Sequence, residues 1–166
     1  MAATTACLIS SSTGGRESGI GVTIVTTCDG DGRATGLTAS AFCSVSLDPP
    51  LVLVCVDHKS QSYPALRERG CFAINILHAE QEAISRRFAS TRLDKFDGVP
   101  HTLSERGLPL VDGAIARLEC TTVSIHVEGD HTIFVGRVER ADAPSGEPLL
   151  YFKGKYERLS EPKPGA

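Results

Sequence analysis

The residues best suited to chemistry lie in three short segments, and the first is a run of small and hydroxyl side chains. Residues 36–41 read Gly-Leu-Thr-Ala-Ser-Ala near the end of a predicted strand. Small side chains let a flat ligand approach the backbone, where peptide N–H and C=O groups can pair with a polar ring edge. A flavin ring has such an amide-like edge. The run therefore suits a flavin, although small residues in a strand also simply relieve crowding.

The second segment, Asp57-His58-Lys59-Ser60, follows a predicted buried strand and precedes a predicted helix. Free N–H groups at a helix start attract anions, and a Lys ammonium and a Ser hydroxyl add donors suited to a phosphate. The third segment, Gly129-Asp130-His131, lies at a predicted hairpin turn. Its histidine could stack on a nicotinamide or steady the charge of a reduced flavin. A solvated lysine beside an ordinary N-cap and a turn histidine without a role are the alternatives.

No signature of an independent catalytic site accompanies these segments. The chain has no G-x-S-x-G, H-E-x-x-H or Walker motif, and Gly19 and Gly21 precede a strand rather than a helix. An enzyme with this inventory would take its chemistry from a cofactor. The six cysteines form no C-x-x-C pair, and with the five histidines they lack metal-ligand spacing. We therefore expect no metal site, mostly buried free thiols and a cytoplasmic protein.

Length and charge limit the class of protein. A chain of 166 residues suits one domain, and a net charge of −3 without a run of Lys or Arg argues against nucleic acid or an anionic membrane as the main partner. No apolar run reaches membrane-spanning length. We predict a flexible N-terminal segment over residues 1–19, a folded domain over 20–159 and a tail over 160–166.

Hydrophobic periodicity predicts a mainly β fold with two short helices. Turn signals at hairpin spacing favour a barrel over a parallel sheet. Residues 91–113 are predicted to be a long irregular loop, and a bulge is expected near Thr121–Thr122, where the apolar alternation changes parity. Strands are predicted over 20–25, 33–41, 51–56 (buried on both faces), 71–77, 114–127, 131–138 and 149–156, and helices over 61–69 and 79–90.

Read in order, several segments resemble the flavin reductase-like, FMN-binding split-barrel family. The resemblance covers about residues 20–159. Within that family, the chain resembles the small reductase components of two-component flavin monooxygenases. The segments are T-A-S-A-F-C-S-V-S-L-D-P-P-L-V-L-V-C-V-D (38–57), C-F-A-I-N-I-L (71–77), R-R-F-A-S (86–90), D-K-F-D-G-V (94–99), G-D-H-T-I-F-V-G (129–136) and P-L-L-Y-F-K-G-K-Y (148–156).

This resemblance implies a Greek-key split barrel that forms a homodimer with FMN or FAD near the subunit interface. It implies hydride transfer from NAD(P)H to the flavin, with reduced flavin passing to a partner monooxygenase. By position, the flavin ring would lie along Thr38, Ala39, Ser40 and Ala41, and the ribityl and phosphate end along Cys55, Val56, Asp57, Lys59 and Ser60. Arg87 and Phe88 would support the phosphate or cover the ring. His131, the expected catalytic residue, would face the nicotinamide together with Gly154 and Tyr156.

The start of the chain departs from the family pattern. Such proteins usually begin with an amphipathic helix, whereas residues 14–19 are glycine-rich and form a poor helix. This departure keeps a second function open, a biosynthetic oxidase or electron carrier that holds its flavin. A barrel that binds haem or a partner without catalysis is a third possibility. The sequence leaves FMN against FAD, and NADH against NADPH, undecided.

Overall fold

A computed structural model describes residues 20–39 and 41–158. These residues confirm the mainly β class, with twelve strands and two helices. The expectations for residues 1–19, for Ser40, and from residue 159 onward lie outside the described residues. The elements are β1 Ile20–Gly21, β2 Thr23–Cys28, β3 Ala34–Ala39, β4 Phe42–Leu47, β5 Pro50–Asp57, α1 Tyr63–Arg69, β6 Cys71–Ile76, α2 Glu82–Ala89, β7 His101–Leu103, β8 Pro109–Val111, β9 Ala116–Glu128, β10 His131–Asp142, β11 Leu150–Phe152 and β12 Lys155–Glu157.

Seven strands form one antiparallel sheet in the order β3-β2-β6-β9-β10-β5-β4. Strands β3 and β4 are neighbours in the chain yet lie at opposite edges of this sheet, so the sheet curls to bring its two edges near each other. The Cys55 amide of β5 donates to the Ala41 carbonyl at 3.1 Å, which extends the β4–β5 ladder towards the segment that joins β3 to β4. No strand ladder closes the circle among the described residues, which agrees with a split rather than a closed barrel. Strands β1, β11 and β12 form a small separate sheet, and β7 pairs with β8.

Two hydrophobic clusters lie on the two faces of strand β2. Successive side chains of a strand point to opposite faces. Val25 therefore enters the cluster inside the barrel with Phe72 and Phe134, and α1 adds Leu66 to it. Ile24 enters the outer cluster with Phe88 of α2. Helix α2 thereby covers the outside of the barrel beside β3.

The helices differ slightly from their predicted bounds. Helix α1 begins at Tyr63 rather than at residue 61, and Gly70 ends it with φ +69°, as a left-handed C-terminal position requires. Helix α2 begins at Glu82 rather than at 79, because residues 78–81 form a turn in which the Gln81 amide donates to the His78 carbonyl at 2.9 Å.

One loop prediction and two strand predictions also need correction. The stretch 91–113 contains the β7–β8 hairpin, and 149–156 is two strands joined by a turn at Lys153–Gly154, where both residues have positive φ. Strand β5 is fully buried on one face only, at alternate positions such as Val54, while its other face is half-buried. A strand at this position covers the barrel core with one side, and its run of apolar residues hid the alternation.

The predicted bulge in β9 is confirmed, and it lies one residue after the expected position at Thr121–Thr122. Val135 of β10 pairs with Ser124 and Gly136 pairs with Thr122, so Val123 is the extra residue in β9. The expectation of mostly buried thiols is wrong for the described cysteines, since Cys43 is exposed and two others are half-buried. Within the described part of the chain, no helix combines the length and the apolar character needed to cross a bilayer.

Candidate functional site

A cleft of about 200 Å³ lies between strand β3, helix α2 and the β11–β12 hairpin. It brings together three of the residues that the resemblance implicated, Thr38, Ala39 and Tyr156. Helix α2 contributes Ser85 and Ala89 to the same cleft, and the hairpin adds Tyr151. Two tyrosine rings face a strand of small residues here, which is a suitable lining for a flat ring.

Hydrogen bonds tie the three walls of the cleft together. The Thr38 hydroxyl donates to the Ser85 carbonyl at 2.7 Å, which joins β3 to α2. The Ser85 hydroxyl and the Tyr156 phenol share a hydrogen bond of 2.8 Å, which joins α2 to the hairpin. The Arg86 guanidinium lies 4.8 Å from the centre of the Tyr156 ring and holds its outer side. Ser85 is therefore the junction of the cleft.

The free edge of β3 presents peptide groups beside this cleft. In the β2–β3 hairpin the Asp29 amide donates to the Arg33 carbonyl, so Asp29 and Arg33 form a hydrogen-bonded pair. Such pairs alternate along an antiparallel ladder, and the peptide groups of Thr35, Leu37 and Ala39 therefore bond to β2. Gly36 and Thr38 consequently turn their N–H and C=O groups away from β2. The Gly36 carbonyl is already used by the protein, whereas the Thr38 peptide group faces outward next to the cleft. One donor and one acceptor in a row fit the amide-like edge of a flavin.

The Asp57–Ser60 segment is a turn that ends before helix α1. The Asp57 carboxylate accepts from the Lys59 amide at 2.8 Å, and the Ser60 amide donates to the Asp57 carbonyl at 2.9 Å. Lys59 is exposed. The expected place of these residues at a helix start is wrong, because α1 begins three residues after Ser60. The exposed Lys59 and the half-buried Ser60 still follow β5 directly in this turn.

His131 lies beside that turn, directly opposite Asp57 in the β5–β10 ladder. Its Nδ1 atom is 2.7 Å from the Asp130 carboxylate, and the His131 imidazole lowers the pKa of that carboxyl. Cys55 shares the face of β5 on which Asp57 lies, two residues or about 7 Å along the strand. The end of β5 therefore pairs with Ala41, at the end of the small-residue segment, on one side and with His131 on the other.

Comparison with known proteins decides the family. The model of a protein family described as "Flavin reductase like domain" matches residues 16–160. The chain belongs to the flavin reductase-like domain family. It is 44% identical over 141 residues to an NADH-dependent flavin reductase of a Rhodococcus species, which covers 84% of this chain and 79% of that protein. It is 39% identical over 144 residues to HsaB of Rhodococcus jostii, the reductase subunit of a flavin-dependent monooxygenase, with 86% and 73% covered.

A solved structure gives the same result for the fold. The NADH:FAD oxidoreductase SgcE6 of Streptomyces globisporus C-1027, in complex with NAD and FAD fragments, superposes with a TM-score of 0.81. It is 40% identical to this chain, and 88% of each chain is covered. The split-barrel fold implied by the resemblance is thereby confirmed.

Two of the side chains expected at the flavin site point elsewhere. The Val56 side chain is fully buried inside the barrel, so only its backbone can face a ligand. The Phe88 ring is buried in the outer cluster, with Phe96 packed edge-on at 4.9 Å, and does not cover the cleft. This corrects the expected role of Phe88. The local pattern marked the ring as available, whereas the helix turns it towards the barrel.

The other expected residues lie at the border of the site. Arg87 uses its guanidinium to donate to the Lys95 and Asp94 carbonyls, both at 2.8 Å, and so holds a loop beside α2. Gly154 lies in the turn of the β11–β12 hairpin with φ +81°. Tyr156 and His131 lie on different sheets, and no hydrogen bond or ring contact joins them in the described part of the chain.

Sequence reasoning missed Ser85, Ala89, Tyr151 and Lys95. Ser85 and Ala89 are four residues apart and therefore share one face of α2. That spacing, next to the R-R-F-A-S segment, was the signal that could have found them. Lys95 was visible only as part of the D-K-F-D-G-V segment, and nothing local shows that a lysine in a charged loop will be buried.

Proposed function

We propose that this protein is an NAD(P)H-dependent flavin reductase that transfers a hydride from the nicotinamide to FMN or FAD. The observation that carries the proposal is the outward Thr38 peptide group beside a cleft whose opposite wall is Tyr156. Family membership and the NADH-dependent flavin reductase among its relatives support the same function.

The chain's own residues would bind and orient the two ring systems. The backbone of residues 38–41 would pair with the polar edge of the flavin, and Lys59 and Ser60 would receive its phosphate. His131 and Tyr156, with Gly154, would border the nicotinamide. Bound flavin accepts the hydride that the nicotinamide gives up, and this step needs no strong protein base. The protein would accelerate the step mainly by holding the partners in place.

Anaerobic mixing tests the proposal. Purified protein is mixed with FMN or with FAD, and then with NADH or with NADPH, while the visible absorbance of the flavin is followed. We expect rapid bleaching with at least one of the four combinations, and the fastest pair would define the cofactor and the reductant. Bleaching no faster than in protein-free controls for all four pairs would contradict the proposal.

We propose that reduced flavin leaves the protein and passes to a separate flavin-dependent monooxygenase, as the subunit name of HsaB suggests for that relative. In air and without an oxygenase, about one hydrogen peroxide should form per NAD(P)H, because free reduced flavin reacts with oxygen. Exhaustive dialysis should remove most of the flavin. A protein that stays yellow after dialysis would favour the flavin-holding oxidase or electron carrier instead.

We also propose a homodimer. Val123, Ile125 and Val127 project from the same face of β9 and are 47%, 40% and 59% exposed, although β-branched side chains usually pack against something. Exposed apolar patches of this kind mark contact surfaces. Sedimentation velocity should give twice the chain mass, and Ile125→Lys should shift the protein towards the monomer. A monomeric wild-type protein at micromolar concentration would refute this proposal.

A further inference from the structure

Lys95 is a buried lysine without an anionic partner. It is 6% exposed, and no carboxylate of the described residues lies within 4 Å of its ammonium group. Its Nζ atom instead donates to two backbone carbonyls, that of Gly36 at 3.1 Å and that of Phe88 at 3.0 Å. Burial lowers the pKa of Lys95. Keeping an amine in such a place is costly unless its donors are used, which points to a defined task.

The two carbonyls belong to two different walls of the cleft. Phe88 is in the last turn of α2, where the carbonyls lack partners within the helix and carry the negative end of its dipole. Gly36 is on the free edge of β3, two residues before Thr38. Ser85 and Ala89, which line the cleft, flank Phe88 on α2. One ammonium group therefore links the strand and the helix that form two walls of the cleft.

The loop that carries Lys95 is itself held to the helix. Arg87 of α2 donates through Nε to the Lys95 carbonyl and through a terminal nitrogen to the Asp94 carbonyl. The backbone and the side-chain end of Lys95 are thus both held by α2, and its ammonium group also binds the Gly36 carbonyl of β3. On the other side of β3, the Ser62 hydroxyl of the α1 N-cap donates to the same Gly36 carbonyl at 2.8 Å.

We propose that Lys95 is a positioning residue that sets the separation of β3 from α2 and thereby aims the Thr38 peptide group at the flavin. The inference rests on the proposed flavin site at this cleft. Lys95 is not among the residues that line the cleft, so it would act on the flavin only through β3. Its removal should therefore weaken flavin binding while leaving hydride transfer in the saturated enzyme close to the wild-type rate.

The test compares Lys95→Met with Val99→Ala. Methionine keeps the length of the side chain and removes both donors. Val99 lies in the same loop and is buried in the outer cluster, but it donates nothing to Gly36, so its truncation reports general loosening of the loop. Flavin dissociation constants come from fluorescence titration, the rate of hydride transfer at saturating flavin from stopped flow, and Tm from thermal melts.

We expect Lys95→Met to weaken flavin binding about tenfold, or ~1.4 kcal/mol, with hydride transfer at saturation within about twofold of wild type. Val99→Ala should lower Tm about as much as Lys95→Met does, while its flavin dissociation constant stays within about twofold of wild type. Equal flavin affinities in the two variants at matched loss of Tm would overturn the inference. If Lys95→Met does not fold, Lys95→Gln, which keeps one amide donor group, is measured against the same criteria.

A further measurement uses the shared carbonyl. Because Lys95 and Ser62 hold the same Gly36 oxygen, the flavin-binding losses of Ser62→Ala and Lys95→Met should not multiply in the double variant. Losses that multiply would count against a common action through Gly36. Failure of the wild-type protein to bind any flavin would refute the proposed function, whereas wild-type binding with unaffected Lys95 variants would refute only the role of Lys95.

Discussion

Replacing Gly36 with alanine tests how tightly β3 packs in the cleft wall. A Cβ atom at this position would lie 2.7 Å from the Val25 carbonyl oxygen and 3.0 Å from the Phe88 ring. The carbonyl belongs to the neighbouring strand and cannot move alone, and the ring is buried, so β3 must shift. Overpacking of this kind costs about 1–3 kcal/mol of the free energy of unfolding. For a domain of this size that loss lowers Tm by roughly 3–10 °C.

The same shift should reach the flavin. Displacing Gly36 moves the carbonyl that Lys95 and Ser62 hold, and Thr38 follows it along the strand. We therefore expect Gly36→Ala to weaken flavin binding in addition to lowering Tm. The matched control is Gly21→Ala, whose Cβ would meet Ile76 at an ordinary 3.6 Å. It should keep Tm within about 2 °C of wild type, since alanine costs less backbone entropy than glycine.

Thermal melts at equal protein concentration and flavin titrations measure both effects. A Gly36→Ala variant with wild-type Tm would show that the wall of the cleft yields easily, and the reasoning from the close approach of Val25 would be wrong. A Gly21→Ala variant that loses as much stability as Gly36→Ala would refute it as well. The cause would then be the loss of glycine itself rather than the contact at β3.

Other contacts can be tested by single substitutions and by pH. Asn75→Leu should lower the free energy of unfolding, measured by urea denaturation, by about 2–4 kcal/mol. The fully buried Asn75 side chain donates to the Ile24 carbonyl and accepts from the Val111 amide, and both groups would lose their partner. A denaturation midpoint near that of wild type would contradict this prediction. Tyr156→Phe should raise the KM for NAD(P)H a few-fold with little change in Tm, because its hydroxyl fixes the ring on Ser85, whereas Tyr151→Phe, measured beside it, should leave KM unchanged. Burial lowers the pKa of Lys95 in the folded protein, so between that pKa and about 10.4 the unfolded chain binds the lysine proton more strongly. The free energy of unfolding of wild type, relative to that of Lys95→Met, should therefore rise with pH in this range. A difference that does not change with pH would show that burial does not disfavour the charged lysine.

Local sequence signals determined much of the fold. The Asp29–Gly32 turn between two alternating segments predicted the β2–β3 hairpin, and the structure pairs Cys28 with Ala34 beside that turn. Gly70 correctly marked the end of α1. The change of parity in β9 predicted a bulge one residue from where it lies. Each of these features depends on neighbours in the chain, so a short window of sequence contains the necessary information.

The composition of the cleft was determined only in part by the sequence. Thr38 and Ala39 were expected at the flavin and do line the cleft, but Ser85 and Tyr156, which are joined by a hydrogen bond, are 71 positions apart. Their meeting depends on how the small β11–β12 hairpin packs against α2. No local periodicity describes that packing, because it is set by long-range contacts among the faces of already formed elements.

Tertiary structure also decided which face of each element is available. Phe88 and Arg87 are neighbours in the chain, yet the Phe88 ring is buried in the outer cluster, whereas the Arg87 side chain binds the loop beside α2. Lys95 lies in a polar stretch that reads as exposed, and it is buried because Gly36, 59 positions away, offers a carbonyl without a strand partner. The sequence by itself determined most of the strands and turns and the resemblance to the family, but not the β7–β8 hairpin or the division of the last strand into β11 and β12. The curl of the sheet decided which of its polar groups meet at the cleft, because only the assembled barrel fixes which strand edge stays free and which helix lies beside it.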